Sequence, residues 1–175
     1  QRLSTDEMVT TCILLLNADH EATVHTIGNS VRQLLKHGAR HDVLEPELIE
    51  NTVEECLRFD TPVLFNWRVL VQPFQLGDVL IPEDAVIWQM LACGNRDPRQ
   101  FEDPDEFRID RENVAHQSFG GGSHFCLGNQ LAKVEARHAL GAFARDTQDL
   151  TITPGQPTWS DSFFRVLGSF PVSFN

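Results

Sequence analysis

The chain has 175 residues, of which 41% are hydrophobic and 22% charged, so it is long enough and apolar enough for one globular domain with a core. Its net charge of −11 argues against nucleic acid as a partner, because the phosphates would be repelled. The sequence has no apolar run long enough to cross a bilayer and no visible signal peptide, so we expect no membrane partner.

The first predicted element is a helix within residues 1–38, with Ser4 or Thr5 as its cap and Gly38 at its end. Its middle is apolar on nearly every side, which indicates a helix that crosses the interior of a larger protein. Because the chain opens at Gln1 directly before this helix, we expect it to be a piece of a longer polypeptide. A second helix is predicted over residues 46–60, starting near Pro46.

The chain then changes character. Residues 62–92 alternate and are rich in β-branched side chains, which predicts three short antiparallel strands. Residues 93–118 are polar and aperiodic, which predicts an irregular meander over the surface. A glycine-rich loop and a third helix occupy residues 119–145, and residues 146–175 predict a final hairpin or small sheet. The expected fold class is therefore mainly α with small antiparallel sheets, an α+β arrangement.

The four cysteines are far apart and form no C-x-x-C pair, which favours a reducing cytoplasm over a disulfide framework. Cys126 lies in the unusual segment FGGGSHFCLG, residues 119–128. The glycines allow a tight turn, and the start of the third helix favours a thiolate there, as a haem iron ligand requires. Two alternatives remain open at this point: a buried structural thiol, or a nucleophile that uses His124 as its base.

The same segment matches the F-x-x-G-x-H-x-C-x-G loop of the cytochrome P-450 haem-thiolate enzymes, and the chain resembles that family over nearly its whole length. VEECLRFDTPV resembles the family's E-x-x-R helix, LLLNADHEATV its distal helix, NRDPRQFEDPDEF its meander, and CLGNQLAKVEAR its proximal helix. The resemblance is closest to bacterial soluble members. It implies the C-terminal part of the cytochrome P-450 fold.

By this resemblance Cys126 is the axial ligand of haem b, and the metal ligand of the site. His124 and Arg68 would contact haem propionates, although Arg68 alone would be taken for an exposed strand charge. The remaining haem-binding positions implied by the resemblance are Phe119, Gly120, Gly122, Gly128 and Ala132.

Glu55 and Arg58, one helical turn apart, would form a structural ion pair. The family often adds a third arginine from the meander. Here Glu106 stands where many members carry that arginine, so we expect Arg108 or Arg96 to take its place.

The distal helix departs from the family pattern. Glu21 keeps the usual acid, but Ala22 replaces the alcohol that helps to protonate bound dioxygen, and Thr23 points about 100° away around the helix. We therefore expect weak or substrate-assisted oxygenation. The expected substrate pocket is apolar and favours a small hydrophobic substrate, although each residue is also compatible with plain core. It would include Ala18, Leu64, Phe65 and Phe163.

The resemblance implies a monooxygenase that inserts one oxygen atom from O2 with electrons from a ferredoxin-type donor or a flavin reductase, near Lys133 and Arg137. Family members are much longer than this chain. We therefore expect exposed apolar surface on the first helix, and homo-oligomer formation or a need for a partner. The alternative function is a truncated, non-catalytic remnant that binds haem weakly or not at all.

Overall fold

The computed structural model describes residues 2–112 and 114–174. Its longest element, α1, runs over Thr5–His37, as the sequence predicts. The Ser4 hydroxyl accepts from the backbone N–H of Glu7, and the Glu7 carboxylate accepts from the backbone N–H of Ser4 at 2.7 Å, which completes a capping box. Gly38 ends the helix in the left-handed conformation with φ 71°.

The two halves of α1 differ in environment. Every described residue up to Glu21 is exposed, including Leu14 at 64% and Leu16 at 72%, so the apolar surface expected on this helix is present. From Thr26 onward one face of the helix is buried. Among the described residues, the helices lack the combination of length and apolar character that a membrane crossing needs.

Two further helices pack against the buried half of α1. Helix α2 covers Ile49–Phe59 and therefore begins later than predicted, because the carbonyl of Glu45 accepts from the N–H groups of Leu48 and Ile49 in a preceding turn. A short 3-10 turn at Asp42–Leu44, which the sequence analysis missed, leads into it. The final long helix covers Asn129–Asp146. The core between these helices consists of Leu34, Ala39, Val43, Val53, Leu57, Ala136, Leu140 and Ala144.

The β region contains four strands instead of the three predicted. Strand β1, Asn66–Val69, pairs antiparallel with β4, Val86–Gln89, while β2, Phe74–Leu76, pairs with β3, Val79–Ile81. Gly77 turns between β2 and β3 with φ 55°. The predicted number was wrong because irregular backbone at residues 70–73 divides the first part of the segment into β1 and β2.

The remaining segments follow the prediction more closely. A single helical turn, α3 at Leu91–Gly94, precedes the meander, which otherwise consists of turns and bends. After the long helix, named α4, the tail forms two separate ribbons. Strand β5, Leu150–Ile152, pairs with β8, Val172–Phe174, and β6, Thr158–Ser160, pairs with β7, Val166–Ser169.

Candidate functional site

The glycine-rich loop brings a half-buried thiol to the start of α4. The N–H of Cys126 donates to the carbonyl of Phe119 at 3.0 Å, which closes the loop, and the Asn129 side chain donates to the Cys126 carbonyl at 2.8 Å. Gly120 and Gly122 adopt positive φ values of 71° and 66°. These conformations explain the glycines at those two positions, since other residues would be strained there.

The loop leaves open space beside two of its glycines. A Cβ atom built on Gly122 or on Gly128 would meet no heavy atom within 4 Å in the described part of the chain. Leu127, next to Cys126, is 88% exposed. A flat apolar group can therefore approach the backbone here without displacing a side chain.

Strand β1 lies beside this loop. A Cβ atom on Gly120 would be 3.8 Å from Nδ2 of Asn66. Arg68, two residues further along β1, is half-buried, and its guanidinium donates to the carbonyl of Trp67 at 2.8 Å. His124 lies in a 3-10 turn of the loop and is exposed. The fold thus brings the strand of Arg68 and the loop of His124 to the same part of the molecule as Cys126.

Glu55 and Arg58 form the expected ion pair in the core. The Arg58 guanidinium donates to both Glu55 carboxylate oxygens, at 2.7 and 2.8 Å, and both side chains are 0% exposed. Arg58 also donates to the carbonyls of Asn95 and Pro104, at 2.8 and 2.9 Å. The pair therefore ties α2 to the meander, and it lies among structural contacts instead of facing a cavity with Cys126.

The third arginine of this cluster is Arg111, and the expectation of Arg108 or Arg96 was wrong. Arg111, 5% exposed, donates from Nε to Glu55 at 3.2 Å. Arg108 reaches Glu55 only through its backbone N–H, at 2.8 Å, and Arg96 donates to the Phe59 carbonyl at 2.7 Å. No local sequence pattern indicates this choice, because the arginines lie in one aperiodic segment whose path depends on tertiary contacts.

The distal residues are on α1. Ala18 and Glu21 are exposed, while Ala22 and Thr23 are half-buried. The hydroxyl one turn beyond Ala22 belongs to Thr26, and it donates to the Ala22 carbonyl at 2.8 Å. That hydroxyl is occupied by the helix backbone, so it does not replace the alcohol missing at Ala22.

The predicted pocket residues Phe65 and Phe163 meet in an aromatic cluster. Their rings are 5.0 Å apart in a T-shaped arrangement, a geometry that stabilises aromatic pairs. Phe163 is 38% exposed, and Leu64, nearby in sequence to Phe65, is half-buried. Ala18 lies on the exposed part of α1. The cluster consists of Phe65, Trp67, Trp88, Phe163 and Phe164, with His25 of α1 at its edge.

Comparison with known proteins places these features in a family. A sequence model described as Cytochrome P450 matches residues 39–146. The chain is 40% identical over 177 residues to Cytochrome P450 107B1 from Saccharopolyspora erythraea and 38% identical over 176 residues to the Biotin biosynthesis cytochrome P450 from Bacillus subtilis. The alignments cover 98% and 99% of this chain but only 44% and 45% of those relatives, so the chain spans less than half their length.

The fold comparison agrees with the sequence comparison. The crystal structure of P450BioI in complex with hexadec-9Z-enoic acid ligated acyl carrier protein matches with a TM-score of 0.93 at 37% identity. That match covers 99% of this chain and 46% of the other. The α+β fold class and the resemblance stated from the sequence are both confirmed.

Proposed function

The chain belongs to the cytochrome P450 family, and from that membership we propose that it forms the haem-ligating part of a haem-thiolate monooxygenase. The observation that carries this proposal is the half-buried thiol of Cys126, held at the start of α4 by a loop with open space at Gly122 and Gly128. The residues fit haem because the donor is a single thiol and the absent Cβ atoms of Gly122 and Gly128 leave room for a flat ring.

Each residue of the loop region has a separate task in this proposal. Cys126 ligates the iron, and Phe119, whose carbonyl accepts from the Cys126 N–H, shields the sulfur from water. Arg68 and His124 neutralise the propionates, because a guanidinium and an imidazole at the rim can donate to carboxylates. Gly120 and Ala132 of α4 complete the contact surface.

The bound haem supplies the activation of O2 by which one oxygen atom is inserted into a small hydrophobic substrate. The aromatic cluster supports an apolar substrate, which Phe65 and Phe163 would contact with Leu64 and Ala18. Glu21 provides the acid of the distal side, while Thr23 lies on another face of α1. Ala22 has no hydroxyl. The proton that an alcohol at this position usually helps to supply therefore comes from water or from a hydroxyl group of the substrate.

Electrons reach the site from a ferredoxin-type donor or a flavin reductase. Lys133 and Arg137 of α4 are the cations proposed to meet that donor, and both are partly exposed, at 28% and 38% of the side chain. These partly exposed cations, each also paired with a glutamate of α2, would attract an acidic partner and orient it towards the ligand side.

Haem titration followed by reduction and carbon monoxide treatment tests the ligand. We expect the Soret band of a thiolate-ligated complex in the unmodified chain, its loss in Cys126→Ser, and its retention in Cys93→Ser, which removes an exposed cysteine outside the loop. No haem absorption in the unmodified chain would favour the non-catalytic alternative. Alkylation of Cys126 that haem does not block would favour a nucleophilic cysteine instead.

Proton delivery is tested separately in the complete enzyme. Ala22→Thr restores the hydroxyl, so we expect more product for each reducing equivalent consumed. A second variant, Ala22→Ser, supplies a smaller alcohol and should also increase coupling, the product formed for each reducing equivalent consumed. Coupling that is unchanged in both variants would contradict the proposed reliance on water or substrate.

A further inference from the structure

A second carboxylate of α2, next to Glu55 in sequence, joins three elements near the thiol loop. Glu54 is hydrogen-bonded to Nε2 of His116 at 2.9 Å and to Nζ of Lys133 at 2.5 Å. His116 precedes the loop and its side chain is 3% exposed, whereas Lys133 lies on α4. One carboxylate thus connects α2, the end of the meander and the helix that follows Cys126.

Two hydrogen bonds indicate which ring nitrogen of His116 carries a proton. The backbone N–H of Ser118 points to Nδ1 of His116 at 3.2 Å, so Nδ1 accepts and carries no proton. Nε2 therefore carries a proton and donates a hydrogen bond to Glu54. Burial raises the pKa of the Glu54 carboxyl, but the hydrogen bonds from His116 and Lys133 and the charge of Lys133 outweigh burial and hold the pKa below its ordinary value.

Both partners of Glu54 also contact Phe119. The His116 ring centroid lies 5.8 Å from that of Phe119, and the Lys133 ammonium lies 5.4 Å from the centre of the same ring. The backbone carbonyl of Phe119 in turn accepts a hydrogen bond from the N–H of Cys126 at 3.0 Å. A continuous chain of contacts therefore runs from Glu54 through Phe119 to the backbone of the cysteine.

We propose that Glu54, His116 and Lys133 are positioning residues that fix Phe119 and thereby hold the Cys126 sulfur in place for its ligand. The proposal rests on the proposed function of Cys126. It goes beyond that function because it assigns the geometry of the thiol to a hydrogen-bonded cluster of α2, the meander and α4. None of the three residues acts on the substrate.

Two glutamates of α2 provide a matched pair for the test. Glu54 and Glu50 lie one turn apart, and each binds a cation of α4, but the Glu50 ion pair with Arg137 is exposed and makes no contact with Phe119 in the described residues. We expect Glu54→Leu to raise, about threefold or more, the share of the carbon monoxide complex in which the Cys126 ligand is a protonated thiol instead of a thiolate. A complete loss of the thiolate-ligated form is not expected, because ring contacts like those to Phe119 are individually modest. Glu50→Leu should leave the spectrum unchanged.

Variants of the imidazole separate positioning from simple packing. His116→Phe keeps the ring stack on Phe119 but cannot bind Glu54, so we expect the same spectral change as in Glu54→Leu. His116→Gln retains a donor and should restore most of the thiolate-ligated form. If His116→Phe does not fold by circular dichroism, Lys133→Met, at a partly exposed position, takes its place with the same expectation.

Alkylation of the haem-free chain gives a readout that does not depend on haem binding. We expect Cys126 to react several-fold faster in Glu54→Leu than in Glu50→Leu, with the exposed Cys93 as reference within each molecule. Equal Cys126 rates and equal spectra in the two variants would overturn the positioning proposal. If the unmodified chain shows no thiolate-ligated complex, the proposed function fails, and the alkylation rates alone still decide whether the cluster positions the thiol.

Discussion

Replacing Arg111 with methionine should destabilise the fold by about 3 kcal/mol, although this residue lies in an irregular segment. Its guanidinium is 5% exposed and donates to Glu55 at 3.2 Å. It also donates to backbone carbonyls of the meander, those of Asp103 at 3.2 Å and Glu106 at 3.0 Å. Methionine fills similar volume but removes all of these donors, and only Glu55 and the Glu106 carbonyl keep hydrogen bonds from Arg58.

The magnitude follows from what remains after the change. Removing one partner from a buried ion pair costs about 3–5 kcal/mol, and here the lower end applies because Glu55 keeps the two hydrogen bonds from Arg58. For a chain of this size that loss corresponds to a melting temperature lower by about 6–12 °C. Urea denaturation followed by circular dichroism measures the free energy of unfolding directly, provided that the m value is unchanged.

Arg108→Met is the matched control, since it lies in the same segment. The Arg108 side chain is 35% exposed and forms only loose ion pairs, at 3.8 Å to Glu102 and 3.6 Å to Asp110. Its backbone N–H, which binds Glu55, is retained in the variant. We expect a loss below about 1 kcal/mol. Equal losses in the Arg111 and Arg108 variants would refute the assignment of Arg111 as the third arginine.

Three further predictions concern the buried thiol of Cys56, stability in acid and the end of α4. Burial raises the pKa of the Cys56 thiol to about 12, so a thiol reagent at mildly alkaline pH should label the exposed Cys93 and spare Cys56 until the chain is unfolded, as mass spectrometry would show. Because the folded-state pKa of Glu54 lies below its ordinary value of 4.5, its carboxylate stabilises the fold above that pH and the contribution disappears as the pH falls through the lower folded value. The difference in unfolding free energy between the unmodified chain and Glu54→Gln should therefore be constant near neutrality and shrink in acid; a difference that grows in acid would contradict it. Arg40→Met removes hydrogen bonds to the carbonyls of Thr147 and Leu150, both at 2.8 Å, and should cost about 2 kcal/mol in urea denaturation, whereas no loss would show that water replaces these bonds.

The features predictable from sequence are those specified by neighbouring residues. Ser4 with Glu7 starts α1 and Gly38 ends it through contacts within one turn, so the predicted and observed ends agree. The loop before α4 is similar, since glycine is the residue suited to the positive φ values at Gly120 and Gly122. Local chemistry was enough to identify these positions.

Features set by contacts distant in sequence were not predictable in this way. Strand β1 pairs with β4 across an inserted hairpin, and the choice of Arg111 over Arg108 depends on the path of the meander around Glu55. Similarly, Glu54 and His116 are separated by 62 residues and follow no shared periodicity. Such pairs have no local pattern because their geometry exists only after the helices have packed.

The two carboxylates of α2 show how one helix can serve two different purposes. Glu55 is 0% exposed and is enclosed by Arg58 and Arg111, so its charge is neutralised inside the core, where it holds the meander. Glu54, at 21% side-chain exposure, binds His116 and Lys133, which both contact Phe119. Because adjacent residues of a helix point about 100° apart, one turn of α2 supports both the meander and the thiol loop. A displacement of α2 would therefore disturb both the meander and the loop that holds Cys126. The distal residues of α1 near Ala22 have no comparable ion pair among the described residues.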